Sequence, residues 1–285
     1  MQYSFFSLLC LSCGLARAAW GQASYVGTVG GAPVELALNE TGQSQLAGVY
    51  LYSKFGTPIA LSGQFKGGTL TLTEQDANGK AAATLTIRTF TAEASQLTGT
   101  WRSLATGKSL PVTLAVAPNR YELLQEAALK DSYFKLVLDG PPGEASRVVT
   151  VKILAKKTNQ LVQQLAVDCE SHGLFGVEVG DYNFDGLPDF SIFESSYAGP
   201  NTSSLYFLYD PAKRRFVNSG FEGTSLEFDT KKRRVYEHNS CCAGTSVVTV
   251  EYKVVRNKLV ELARHCYRWD EKKQELVARP ASACQ

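Results

Sequence analysis

The chain has 285 residues, enough for one or two domains, with 44 % hydrophobic and 20 % charged residues, the balance of an ordinary globular protein. Its formal net charge of +2 leaves no overall excess of positive charge to hold nucleic acid. The segments downstream of the amino terminus are too short or too polar to cross a bilayer as a helix.

Residues 1–18 read as a secretory signal. Phe5 to Leu15 is a short apolar run, and Ala16-Arg17-Ala18 supplies a small-x-small cleavage pattern. A periplasmic or secreted protein follows, with a lipid anchor at Cys13 as the lesser alternative. Of seven cysteines, Cys10 and Cys13 leave with the signal, and Cys169, Cys241, Cys242, Cys266 and Cys284 remain. In an oxidising compartment these predict up to two disulfides and one leftover thiol, in a pairing that spacing does not reveal. A zinc site would need closely spaced Cys or His pairs, and the five cysteines that remain after the signal form no CxxC.

Residues 19–117 are expected to form an N-terminal antiparallel β meander, closed as a barrel or stacked as a sandwich. Alternating or apolar runs recur about every ten residues: Tyr25-Val29, Val34-Leu38, Leu46-Tyr52, Ile59-Phe65, Leu70-Thr73, Ala82-Thr89, Leu97-Trp101 and Val112-Val116. Asn78-Gly79 marks a hairpin. Residues 118–144 read as a connecting segment, with a short helix over the Glu-, Leu- and Ala-rich stretch Tyr121 to Lys130.

Residues 145–285 are expected to form a twisted antiparallel, propeller-like β domain. Three stretches share one pattern: an aromatic strand, an Asp-led basic turn, and a returning strand. The turns are Asp210 to Arg215, Asp229 to Arg234 and Asp270 to Glu275. The Lys and Arg runs are read as solubilising hairpin tips, since no aromatic stacking platform is interleaved with them.

Gly180 to Phe190 carries the chemistry. Asp181, Asn183, Asp185 and Asp189 stand at positions 1, 3, 5 and 9 of an EF-hand-type loop, with Gly186 at the sharp turn and the Leu187 carbonyl at position 7. Ca²⁺ takes six to eight oxygens at about 2.3–2.6 Å, and short side chains at a spacing of two converge on one point when the backbone curls. Position 12 is Ile192 rather than Glu, and the flanks Leu174 to Val179 and Phe190 to Phe193 read as strands. The expected element is therefore a Ca²⁺ loop on a β scaffold. The following loop, Glu194 to Ser204, would be presented by it, with Tyr197 as an aromatic anchor.

No catalytic constellation accompanies the loop. His172, His238 and His265 have no partner at metal-binding spacing, and no Gly-x-Ser-x-Gly elbow is present. The chain is read as a binding protein and not an enzyme. An adhesion or carbohydrate-binding module is one such reading.

The stretch Val177-x-Val179-x-Asp181-x-Asn183-Phe184-Asp185-Gly186-x-x-Asp189-Phe190, followed by Tyr206-x-x-Tyr209-Asp210 and Phe216, resembles the periplasmic lysozyme-inhibitor family that includes immunity proteins of the xanthomonad antibacterial type IV secretion system. The resemblance covers roughly 145–270. Tyr25-x-Gly27, Gly48-x-Tyr50-x-Tyr52 and Gly99-x-Trp101 look like a β-rich companion ahead of such domains. The resemblance implies a β protein that binds Ca²⁺ through Asp181, Asn183, Asp185 and Asp189 and inserts a loop into the cleft of a lysozyme-like muramidase; the chain itself is expected to be a monomer. By position in that loop, Ser196, Tyr197 and Asn201 would touch the partner.

Overall fold

The computed structural model describes residues 22–280, apart from 43, 77, 92–93, 120 and 141–145, together with 282 and 284. The expected signal, with Cys10 and Cys13, lies outside them. Among the described residues there is no α-helix, only strands and two short 3-10 turns.

Eight strands follow the predicted meander: β1 (Gln22–Val29), β2 (Ala32–Gly42), β3 (Gln45–Tyr52), β4 (Ile59–Lys66), β5 (Thr69–Gln75), β6 (Ala81–Ile87), β7 (Gln96–Ser103) and β8 (Ser109–Val116). They form a closed barrel, sealed by antiparallel pairing of Tyr25 to Val29 with Val116 to Val112. Period-two alternation turns Leu70 and Leu72 of β5 into the core, with threonines between them. Tyr25, Leu36, Leu38, Ile87 and Leu114 join them in the packed interior, as expected of so few strands. The Glu74 carboxylate accepts the Tyr50 hydroxyl (2.6 Å) and the Trp101 indole N–H (3.0 Å).

Gly27, Gly63 and Gly99 recur at equal intervals of 36 residues. A Cβ at these positions would lie 2.0, 2.0 and 2.3 Å from the carbonyl oxygens of Thr113, Thr71 and Thr86 on the neighbouring strands. Each glycine lets two backbones close at a barrel bend.

Three antiparallel meanders follow. The first contains β9 (Glu122–Ala128), β10 (Ser132–Leu138), β11 (Arg147–Ala155) and β12 (Leu161–Glu170). The second contains β13 (Val177–Gly180), β14 (Asp189–Ser196), β15 (Thr202–Asp210) and β16 (Arg215–Asn218). The third contains β17 (Glu227–Asp229), β18 (Arg234–Cys241), β19 (Ser246–Val255), β20 (Lys258–Asp270) and β21 (Glu275–Arg279).

The helix expected over Tyr121 to Lys130 is strand β9, and the expected connecting segment supplies two strands of the first sheet. Leu123, Leu124 and Gln125 are consecutive and all fully buried, which one face of a helix cannot achieve. Pairing with β10 and cover from the barrel override the local helix propensity. Leu174 likewise falls in a 3-10 turn, Gly173–Phe175, so the strand before the Ca²⁺ motif begins only at Val177.

The second sheet is covered on both faces. Along β15, Leu205, Phe207 and Tyr209 pack on the first sheet with Phe134, Val151 and Ile153. Tyr206 and Leu208 point the other way, toward Phe228, Val254 and Leu259 of the third. The unbroken apolar run Leu205 to Tyr209 is the signature of a strand buried on both sides. Gln163 of β12 caps the outer edge of β16, donating to the Phe216 carbonyl and accepting the Phe216 N–H, both at 2.8 Å.

The barrel docks on the first sheet through its outer surface. Ala37, Val49 and Leu51 meet Leu123, Leu124, Tyr133 and Leu174. The Lys135–Glu35 ion pair (2.7 Å) and the Asn159 amide on the Ser53 carbonyl (2.8 Å) border this contact. Buried Gln125 donates to the Gly173 carbonyl and accepts the Gly176 N–H, both at 3.0 Å.

Candidate functional site

The loop between β13 and β14 curls around its own side-chain oxygens. Asp181 accepts the Asp185 N–H through Oδ1 (3.0 Å) and the Gly186 N–H through Oδ2 (2.9 Å). Asn183 Oδ1 accepts the same Asp185 N–H at 3.1 Å, so oxygens of Asp181 and Asn183 converge on one point. Asp185 Oδ1 accepts the Leu187 N–H at 2.8 Å. Gly186 has φ of 87°, the left-handed turn that favours glycine. Phe184, also left-handed at 63°, is held by burial of its ring 6.3 Å from Phe228.

Asp189 sits differently from the other three. It is 0 % exposed, and its two oxygens accept the backbone N–H groups of Tyr182 (2.9 Å) and Tyr209 (2.8 Å). Burial pushes its carboxyl upward, the two N–H donors pull it back, and the charge of Asp185 adds to the rise. Asp189 therefore ties the loop to β15, and any role as a ligand comes in addition to that.

Asp181, Asn183, Asp185 and the Leu187 carbonyl make an all-oxygen donor set of the kind hard Ca²⁺ prefers. The oxygens of the first two positions turn inward onto the Asp185 N–H, which holds them on the side of the loop where an ion would sit. Among the described residues no three His, Cys, Asp or Glu side chains gather as a metal cluster; the third side chain here is the Asn183 amide, whose nitrogen donates to Asp185 Oδ2 at 2.9 Å.

The next hairpin, between β14 and β15, carries the predicted partner contacts. Tyr197 is 54 % exposed, and its hydroxyl lies 3.2 Å from Ser203 Oγ. The Tyr197 N–H donates to the Asn201 carbonyl at 2.9 Å, and exposed Ser196 donates its N–H to Glu170 at 3.1 Å. Asn201 does not serve as a surface contact. It is 7 % exposed, its amide nitrogen donates to the Ser240 carbonyl (2.8 Å) and its oxygen accepts the Ser240 N–H (3.0 Å). Asn201 fastens the hairpin to β18.

A cleft of about 540 Å³ opens between the second and third sheets. Glu178, Asp181 and Glu227 line it with Tyr206, Phe228 and a row of serines, and no Lys or Arg does. His172, expected as a surface residue, is exposed at its rim with its ring 4.5 Å from that of Phe193. Sequence reasoning missed this cleft, although the period-two pairs Ser191-x-Phe193 in β14 and Ser204-x-Tyr206 in β15 were a signal for it.

Among the described residues one disulfide forms, Cys266–Cys284, within the expectation of up to two. Cys169 is buried, while Cys241 and Cys242 are exposed in the β18–β19 turn.

The barrel and its stacked sheets define an all-β protein with a loop of inward-turned oxygens at one end. No family model and no curated protein matches the chain. Among solved structures it is similar to a porin-like protein from Bacteroides uniformis, with a TM-score of 0.20 and 9 % identity over 91 % of this chain and 96 % of that one. An overlap of that quality carries no argument about fold or function. No helix among the described residues is long and apolar enough to cross a membrane.

Proposed function

We propose that the chain is an exported, Ca²⁺-ordered binding protein that inhibits a lysozyme-like peptidoglycan hydrolase by placing the β14–β15 hairpin in its cleft. The observation that carries this is the clamped tip. Tyr197 projects into solvent while Ser203, Glu170 and the Asn201–Ser240 tie hold the hairpin from several sides. An aromatic anchor on a rigid loop binds without the cost of ordering it, about 0.5–1.5 kcal/mol for each flexible side chain otherwise immobilised. Asp181, Asn183, Asp185 and the Leu187 carbonyl would hold Ca²⁺. The ion would neutralise the two loop carboxylates and stiffen the connection between β13 and β14. Inhibition then follows from steric occlusion.

Calorimetric Ca²⁺ titration and a lysis assay with and without chelator test this reading. Asp185→Ala is expected to weaken Ca²⁺ binding roughly tenfold or more, by removing a charged ligand. Tyr197→Ala should leave Ca²⁺ binding intact and abolish inhibition. Unchanged Ca²⁺ affinity in Asp185→Ala would show that the ion binds elsewhere.

The cleft favours a second reading as a carbohydrate-binding module. Its carboxylates, serine hydroxyls and aromatic rings suit a polyhydroxylated ligand. A glycan binder retains peptidoglycan in a pull-down and leaves lysis untouched.

A further inference from the structure

In a meander, alternate turns share one end of the sheet. The β17–β18 and β19–β20 turns therefore lie together, and Asn257 between β19 and β20 accepts a hydrogen bond from Asn183 at 3.2 Å. The β15–β16 turn borders the same place, because Asp185, Asp210, Pro211 and Asn257 line one groove of about 370 Å³. Three turns thus surround the oxygen-lined loop at one end of the stacked sheets.

These turns carry exposed cations. Lys213 pairs with Asp210, Lys232 with Asp229 and Arg234 with Glu251. Arg214, Arg215, Lys231, Arg233, Arg256 and Lys258 are exposed and make no ion pair with any described residue. Six unpaired charges on one end of a chain whose net charge is +2 form a concentrated positive field. Their placement also discriminates between partners. The groove among the turns is lined by Asp185, Asp210 and Asn257 and by none of the six, so a polymer threaded through it would meet carboxylates. The six cations are exposed on the three turns and at the strand ends beside them, open to a charged surface that approaches this end. None of the turn residues from 211 to 214 or 230 to 233 is aromatic, so nothing there stacks on nucleobases.

We infer that this end of the stacked sheets is an electrostatic docking face for an anionic lipid bilayer, with phosphate headgroups as the counter-charge. The inference does not require Ca²⁺, because all six cations lie outside the Asp181–Asp189 loop; the Asp181 and Asp185 carboxylates that the turns surround subtract from the positive field, and an ion bound there would add to it.

Co-sedimentation of the mature chain with vesicles of about one-third phosphatidylglycerol, the rest phosphatidylcholine, tests it. Binding is expected at about 0.1 M salt and lost by about 0.5 M. The triple variant Lys231→Gln, Arg233→Asn, Arg256→Asn should lower the partition coefficient about a hundredfold, at about fivefold per cation. Asn is chosen at 233 and 256 because both positions are left-handed, with φ of 54° and 51°. The matched triple Arg268→Gln, Lys272→Gln, Lys273→Gln, near the opposite end, should change binding less than about threefold. Arg256→Asn alone gives an independent reading of about fivefold in a minimally altered protein. Equal losses in the two triples would overturn the assignment of the face. Absence of binding to anionic vesicles at low salt, or tight binding to a DNA duplex without vesicle binding, would overturn the lipid partner.

Discussion

Among the described residues three thiols lie outside the Cys266–Cys284 disulfide, and their surroundings divide them. Cys169 is buried at the end of β12, where desolvation first and the Glu194 charge second push its thiol up to about 12, with Arg147 opposing. Cys241 and Cys242 stand exposed on a turn. Iodoacetamide at pH 8 should label these two in the folded protein and reach Cys169 only after unfolding. The same burial makes stability depend on pH. The native thiol keeps its proton where the unfolded one loses it, so this stabilisation is complete below about pH 9 and falls as pH rises toward about 12. In urea titrations from neutral to alkaline pH, Cys169→Ala should flatten that decline, whatever its cavity costs at neutral pH. Asn201 and Asp189 belong to the same scale. Both were read as binding residues, and both are tied to distant backbone groups: Asn201 to Ser240, 39 residues away, and Asp189 to Tyr209, 20 residues away. No local spacing announces such partners.

Strands and turns were readable where their cause is local. The eight runs of 25–116 match the eight barrel strands because alternation reports which side of a strand is buried. The Asp-led turns recur as expected. Asp210, Asp229 and Asp270 each cap backbone N–H groups two or three residues on, and Arg214, Arg233 and Gln274 each take left-handed φ. Strand β9 was misread because its helix-forming composition acts locally, whereas the contacts with β10 and the barrel that hold it extended do not. The three glycines at 36-residue intervals also carry a tertiary meaning, since each faces the backbone of another strand. Gly63→Ala would place a methyl group 2.0 Å from the Thr71 carbonyl oxygen and force the strands apart. The expected cost is about 1–3 kcal/mol, read as a lower urea midpoint with unchanged slope.

At the scale of the molecule, the barrel and the sheets share a core. Seven buried residues from both sides meet in one cluster, from Ala37, Val49 and Leu51 to Leu123, Leu124, Tyr133 and Leu174. Two further cores join the first sheet to the second and the second to the third. Separating the barrel would expose Leu51 and Leu123 together. Calorimetry should therefore show one cooperative transition for the barrel and first sheet. Leu123→Ala, costing about 2–5 kcal/mol, should lower that transition as a whole and leave no separately melting barrel.

Strand periodicity, turn chemistry and the oxygen spacing of the 181–189 loop all act within about ten residues, so they could be read directly from the chain. Closure of the barrel needs β1 to find β8, and the choice between barrel and sandwich rested on that distant pairing. The burial of Asn201 and Asp189, the cleft between the second and third sheets, and the gathering of three basic turns at one end likewise join residues far apart in the chain. Only the folded backbone brings them within reach, because hydrogen bonds and charge fields act over ångströms of space and not over positions in sequence.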